Sequence, residues 1–269
     1  MKKGLLYVVT LIFILALAAC SSEESIDDKV IKVGASPVPH AEILEFVRDA
    51  LLEKGYTLEI VEFTDYVLPN LALDNGELDA NFFQHIPYLD YFNEENGTTI
   101  VSAGTVHFEP LGIYAGTATS LESIEDGASI AIPNDSTNRA RALLLLESLE
   151  FITLDPDAGL SATVLDITSN PYHIDIVELE AAGIPARLAD VDFGVINGNY
   201  ALSADVVDKL LSSESSDSVG ALLYANIIAV REGTEDSPAI VALLEVLQSD
   251  AVSAFILEQY NGLVLPVFE

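Results

Sequence analysis

The sequence predicts an α/β protein of two lobes with a cleft between them, on three observations. Short apolar runs of strand length alternate with segments whose apolar residues recur at three- and four-residue spacing. Two such series occur, one before and one after "FEPLGIYAG" (Phe108 to Gly116). Half of the 269 residues are hydrophobic, enough for one large core or two of ordinary size.

In the first series, "VIKVGA" (Val30 to Ala35) is a compact strand. The loop "SPVPH" leads into "AEILEFVRDALLEKG", where Ile43, Leu44, Val47 and Leu51 make a helical stripe and Gly55 supplies a stop. "TLEIVEF" alternates as a second strand, and "YVLPNLALDNG" predicts a helix. "LDANFF" is a short third strand, and "HIPYLDYFNEENG" a helix with Pro87 in its first turn. In the second series, "ASIAI" is a strand, "TNRARALLLLESL" a helix, and "HIDIVEL" and "DFGVING" are further strands. The C-terminal "SPAIVALLEVLQSDAVSAFILEQYNG" is helical. In sheets of this kind, ligands gather at the carboxyl ends of strands, where loops lead into helices.

Two such loops hold candidate binding groups. In "IPNDSTNRARALLLLE", Asn134, Asp135, Ser136 and Asn138 are good capping residues before a Leu-rich helix. Its N-terminus suits an anionic group, and an arginine one turn inside adds a two-pronged partner for a carboxylate. Arg139 and Arg141 point about 200° apart, so one of them at most faces a given cleft. Asn138 and Arg141 share a face, which favours Arg141. In "DANFFQHIPYLDYF", Phe83 ends a strand, while His85 and Tyr88 flank Pro87 at a helix start and carry polar tips. Phe82, Tyr91 and Phe92 are expected to pack the core.

Composition excludes several classes. Lys2 and Lys3 precede the apolar run "GLLYVVTLIFILALAA", a secretory signal too short and too abruptly ended by "SSEES" for a membrane span. Leu17-Ala18-Ala19-Cys20 resembles the bacterial lipobox, which predicts cleavage before Cys20 and lipid on its sulfur. Without Lys2 and Lys3, nine basic residues face 43 acidic ones, a net charge of −34. Nucleic acid and anionic headgroups are poor partners for such a surface. Cys20 is the only cysteine, so no thiol remains for a disulfide, a metal or a nucleophile. His40, His85, His107 and His173 show no metal-ligand spacing, and no catalytic elbow, phosphate loop or dinucleotide motif occurs, so neither a cofactor nor an enzyme is expected.

Taken together, the lipobox, "VGASPVPHAEIL", "LDANFFQHIPYLDYF", "IPNDSTNRARALLLLE", "NPYHIDIVELE", "VDFGVINGNYA" and "YANIIAVRE" resemble, in order, the NlpA/MetQ lipoproteins, the methionine-binding components of bacterial ABC importers. The resemblance implies a two-lobed periplasmic-binding-protein-like fold (type II) with the ligand cleft between the lobes. It implies a signal peptide over 1–19, a lipidated tether over 20–29, a first lobe from 30–112 and 231–269, and a second from 113–230. Tyr66, Phe83, His85 and Tyr88 would wall the ligand's side chain, which suits a thioether. Arg141 would pair with the α-carboxylate, and Asn197 and Asn226 would hold the amino and carboxylate groups. Arg139 stands where the family pattern has a small or neutral residue, either near the carboxylate site or pointing to solvent. The implied protein is a monomer, held on the outer face of the membrane by lipid on Cys20. It hands L- or D-methionine to a permease and its ATPase. Another small amino acid or a methionine-containing dipeptide is the alternative ligand, and an extracytoplasmic hydrolase the alternative class.

Overall fold

The computed structural model describes residues 29–122, 124–215 and 222–268. The signal segment, Cys20 and the tether through residue 28 lie outside the described residues. Each lobe is built on its own sheet.

The first sheet takes β1 (Val30–Ala35), β2 (Thr57–Glu62), β3 (Ala80–His85) and β4 (Ile100–Phe108) from the first half of the chain. Between them run α1 (Glu42–Glu53), α2 (Leu68–Asp74) and α3 (Ile86–Asn96). α1 buries the predicted Ile43, Leu44, Val47 and Leu51. Full burial of each such side chain is worth about 2 kcal/mol. The chain then crosses to a second sheet, formed by β5 (Gly112–Ala115), β6 (Ser129–Pro133), β9 (Asp175–Leu179), β10 (Phe193–Ile196) and β11 (Leu210–Ser213). Its order is β11-β5-β10-β6-β9, and a minor pair, β7 (Thr153–Leu154) and β8 (Ile167–Ser169), sits apart. Helices α4 (Ser136–Ser148), α5 (Ile184–Arg187) and α6 (Gly198–Ser203) belong to this half. The α4 helix buries Leu143, Leu145 and Leu146 in the second lobe's core.

The chain returns through β12 (Ala225–Arg231), which inserts antiparallel between β3 and β4. The return was expected after residue 230, so here the structure corrects the boundary. "ANIIAVR" is apolar nearly throughout because both faces of a central strand are covered, and such a run carries no mark of which sheet it joins. β13 (Leu265–Pro266) completes the order β13-β4-β12-β3-β1-β2.

The C-terminal helical segment is two helices, α7 (Pro238–Leu247) and α8 (Asp250–Tyr260), bent by 51°. Ser249 makes the break by capping α8, its hydroxyl accepting from the Val252 N–H. Both pack on the first lobe's core through Ile240, Leu243, Leu247, Val252 and Ile256. No single helix among the described residues is long and apolar enough to cross a membrane. Phe82 and Phe92 are buried as expected, but Tyr91 is 36% exposed. It follows Asp90 on the outward face of α3, where Leu89 and Phe92 take the core positions.

Two crossing segments join the lobes, one between β4 and β5 and one between β11 and β12. They are stitched together near their start: the Glu214 N–H donates to the Leu111 carbonyl at 3.0 Å. The Leu111 N–H in turn donates to the Glu214 carboxylate at 2.9 Å.

Candidate functional site

A narrow cavity lies between the two sheets, and all seven ligand-contact residues expected from the sequence line it. Tyr66, Phe83, His85 and Tyr88 come from the first lobe, Arg141 and Asn197 from the second, and Asn226 from the start of β12. Gln84, Glu109, Asn138, Gly198 and Asn199 complete the lining and were not among the expected contacts.

The aromatic side is assembled by one strand-to-helix turn. His85 ends β3 and caps α3, its Nδ1 accepting the Tyr88 N–H at 3.2 Å. That bond leaves the ring proton on Nε2, which donates to Asn138 Oδ1 at 3.4 Å, across the cleft. Burial, with Arg141 nearby, pushes His85 down to about 3, so the ring is neutral at physiological pH. The Tyr88 hydroxyl donates to the Tyr66 carbonyl at 2.9 Å. The Tyr66 ring lies 5.8 Å from both Phe83 and Tyr88 and 4.9 Å from Tyr200. The Tyr66 hydroxyl reaches the other lobe and donates to Asn199 Oδ1 at 2.6 Å.

The polar side is set by the N-terminus of α4. Asp135 caps it, one carboxylate oxygen accepting from the Asn138 N–H at 2.9 Å, from Asn138 Nδ2 at 3.0 Å and from the Thr137 hydroxyl at 3.1 Å. Asn138 and Arg141 share the buried face. Arg139, on the other side, pairs with Glu178 at 3.4 Å and is no part of the cavity lining.

Arg141 is already engaged by a carboxylate of the same chain. Its Nε and NH2 donate to the two oxygens of Glu214 at 2.8 and 2.6 Å, and NH2 also donates to the Glu109 carbonyl at 2.8 Å. The guanidinium lies 4.4 Å from the centre of the Tyr224 ring. The expectation that Arg141 stands ready for a ligand carboxylate is thus modified: it lines the cavity, but Nε and NH2 are held by the two crossing segments.

Behind this wall lies a buried cluster that sequence spacing did not reveal. His107 Nε2 lies 2.8 Å from a Glu109 carboxylate oxygen, and His40 Nε2 lies 3.3 Å from the same oxygen and 2.9 Å from Asn226 Oδ1. Burial holds His40 near 4 and His107 near 3, so both rings are neutral N–H donors. Burial pushes the Glu109 carboxyl up, while His40, Arg141 and the Asn199 backbone N–H pull it back. Gly198 is required here because a Cβ at that position would stand 2.8 Å from Glu109 Oε2. His40, His107 and Glu109 place one donor atom each within 4.8 Å of one another, so these are the described residues that could hold a metal ion. The same atoms already satisfy one another by hydrogen bonding, which a metal would have to displace. Glu109 was illegible among 43 carboxylates, and His40 and His107 meet only through the sheet.

Two sheets crossed twice by the chain, with a lined cavity between them, define a two-lobed binding protein. Its sequence matches the NlpA lipoprotein family over residues 31–268, and the chain belongs to that family. It is 43% identical to the methionine-binding lipoprotein MetQ of Bacillus subtilis strain 168, covering all of both chains. Among solved structures, it is similar to a nutrient-binding protein from Burkholderia cenocepacia bound to methionine. That match has a TM-score of 0.83 and 43% identity, and covers 88% of this chain and all of the other. It is also similar to an ABC transporter periplasmic substrate-binding protein from Coxiella burnetii, with a TM-score of 0.82 and 39% identity, over 88% of this chain and all of the other.

Proposed function

We propose that this protein captures methionine on the outer face of the membrane, anchored as a monomer by lipid on Cys20, and delivers it to an ABC permease and its ATPase. The observation that carries the reading is the division of one cavity into an aromatic wall and a polar end built from both lobes. A thioether is soft and apolar and gains from aromatic edges, and the wall of Tyr66, Phe83, His85 and Tyr88 supplies them. Arg141, Asn197 and Asn226 face the α-carboxylate and α-amino groups of the ligand. Relatives named for methionine binding support this choice over other amino acids. A relative named as the substrate-binding protein of an ABC transporter supports delivery to such an importer.

The reading involves no bond making or breaking, only closure of two lobes around a ligand whose contacts favour the closed form. Isothermal calorimetry with methionine, together with mass spectrometry of ligand released from purified, denatured protein, tests it. Saturable heat and co-purified methionine are the expected results. A different amino acid or a dipeptide in the released fraction would reassign the ligand. An empty protein that gives no heat and turns over an ester would overturn the reading.

A further inference from the structure

We propose that Glu109 is the anchor for the ligand's α-ammonium group. With Asn197 Oδ1 it forms the acceptor side of a polarised polar end, whose donor side is Arg141 with Asn226 Nδ2. The inference rests on the amino-acid reading above and deepens it, because that reading leaves open which group meets which end of the zwitterion.

The polarity follows from two hydrogen-bond chains, each fixed by a group that can act in only one way. The first starts at Asp135. Its carboxylate accepts only, so Asn138 must turn Nδ2 toward it, at 3.0 Å, and Oδ1 the other way. That Oδ1 then accepts from Asn197 Nδ2 at 2.9 Å and from His85 Nε2. Asn197 has thereby spent its donor end, and its Oδ1 is buried with no partner. An acceptor left unpaired in a buried site costs about 1–3 kcal/mol until a donor arrives.

The second chain starts at Glu109. Its carboxylate also accepts only, so the Nε2 atoms of His40 and His107 beside it must carry their protons. His40 Nε2–H, 2.9 Å from Asn226, therefore faces Oδ1 of that amide, and the remaining donor end of Asn226 is its Nδ2. Asn226 and Arg141 both line the cavity, so each can offer a donor to a ligand there.

Glu109 itself is 6% exposed and lines the cavity. Among the described residues, its ion-pair neighbours within 4 Å are His40 and His107, both neutral. Arg141 is charge-matched by Glu214. An α-ammonium group brings a positive charge and hydrogen-bond donors to Glu109 and Asn197 Oδ1, while the α-carboxylate meets the donors of Arg141 and Asn226. Charge and hydrogen-bond direction agree on the same orientation.

The test compares methionine with its des-amino analogue, which keeps the thioether and the carboxylate, by calorimetry on wild type and on Glu109→Gln. Wild type is expected to bind methionine at least about a hundredfold more tightly than the analogue, since stranding Glu109 and Asn197 penalises the ligand lacking the donor. In Glu109→Gln, methionine is expected to weaken by at least about tenfold, with the preference falling below about tenfold. An unchanged preference in the variant overturns the assignment of Glu109 while leaving methionine capture intact. A wild-type protein that binds no methionine overturns the underlying reading instead. Should Glu109→Gln fail to fold, as judged by circular dichroism, Glu109→Asp carries the test. It is expected to keep a preference of about a hundredfold at lower affinity, and loss of that preference with the carboxylate retained also overturns the proposal.

Discussion

At the scale of single residues, the site works by fixing direction and protonation before any ligand arrives. Arg141 illustrates the first. Its guanidinium is buried, and Glu214 and the Glu109 carbonyl hold it in place with bonds of 2.6 to 2.8 Å. Arg141→Ala should weaken methionine binding by about 2 kcal/mol or more, because the ligand carboxylate loses its cation and Glu214 becomes a second, uncompensated anion beside it. Calorimetry reads this directly, and near-unchanged affinity would remove Arg141 from the site. His107 illustrates the second. It is fully buried and neutral, facing Glu109 and the rings of His40 and Phe82. Its folded value, near 3, lies below the ordinary 6.5, so the folded state binds fewer protons between those limits. Stability therefore rises with pH across that window and is lost as pH falls from 6.5 toward 3. Glu109, raised by burial, acts in the opposite direction, so the informative quantity is a difference between proteins. Between pH 7 and pH 5, His107→Gln should lose about 2 kcal/mol less stability than wild type in urea titrations. Equal losses would mean that His107 titrates normally.

At the scale of elements, the turns that carry the site were legible because they obey local rules. Pro87 after a strand-end His, and Asp135 three residues before Asn138, mark helix starts in any context, and Phe83, His85, Tyr88 and Arg141 follow from those positions. What was not legible depends on pairing between distant segments. Tyr91 is exposed because the α3 stripe faces Leu89 and Phe92 inward, a choice of face that a run of aromatics hides. The sheet joined by β12 and the meeting of His40 with His107 and Glu109 are likewise set by strand order, which periodicity does not encode. Packing between elements also fixes positions that sequence alone leaves neutral. Gly116, just after β5, lies against the chain leading into β10, and a Cβ there would stand 2.2 Å from the Val191 carbonyl oxygen and 2.6 Å from that of Leu188. Both are backbone atoms and cannot swing aside. Gly116→Ala should therefore cost about 2–3 kcal/mol. Gly183→Ala, which meets no atom within 4 Å, should change stability little. Equal denaturant midpoints for the two variants would show that the second lobe yields at Gly116.

At the scale of the whole molecule, the dominant quantity is charge. The chain has 11 Lys and Arg against 43 Asp and Glu, a net charge of −32, and folding gathers that charge into a small volume. Two salt effects compete. Screening weakens repulsion among the carboxylates, which stabilises the fold, and it weakens surface ion pairs, which destabilises it. Among the described residues the exposed pairs include Lys32 with Glu59, Lys54 with Glu245, Arg48 with Glu45 and Arg187 with Asp190. Each is worth about 0–1 kcal/mol at most, while the excess acidic charges repel one another throughout. The buried pair of Arg141 and Glu214 is shielded from solvent ions and is little affected. Repulsion wins this comparison, so the melting temperature should rise with sodium chloride. Most of the gain should come by about 0.3 M, where the screening length has fallen to well under 10 Å, and little should follow at higher salt. A gain that continued steadily to molar salt would point to ion exclusion from the surface in place of screening. A melting temperature that stayed level or fell would mean that carboxylate repulsion does not limit this fold. The methionine dissociation constant should move much less over the same range, because the charges that meet the ligand are buried, with Arg141 3% and Glu109 6% exposed, and buried charges are screened much less.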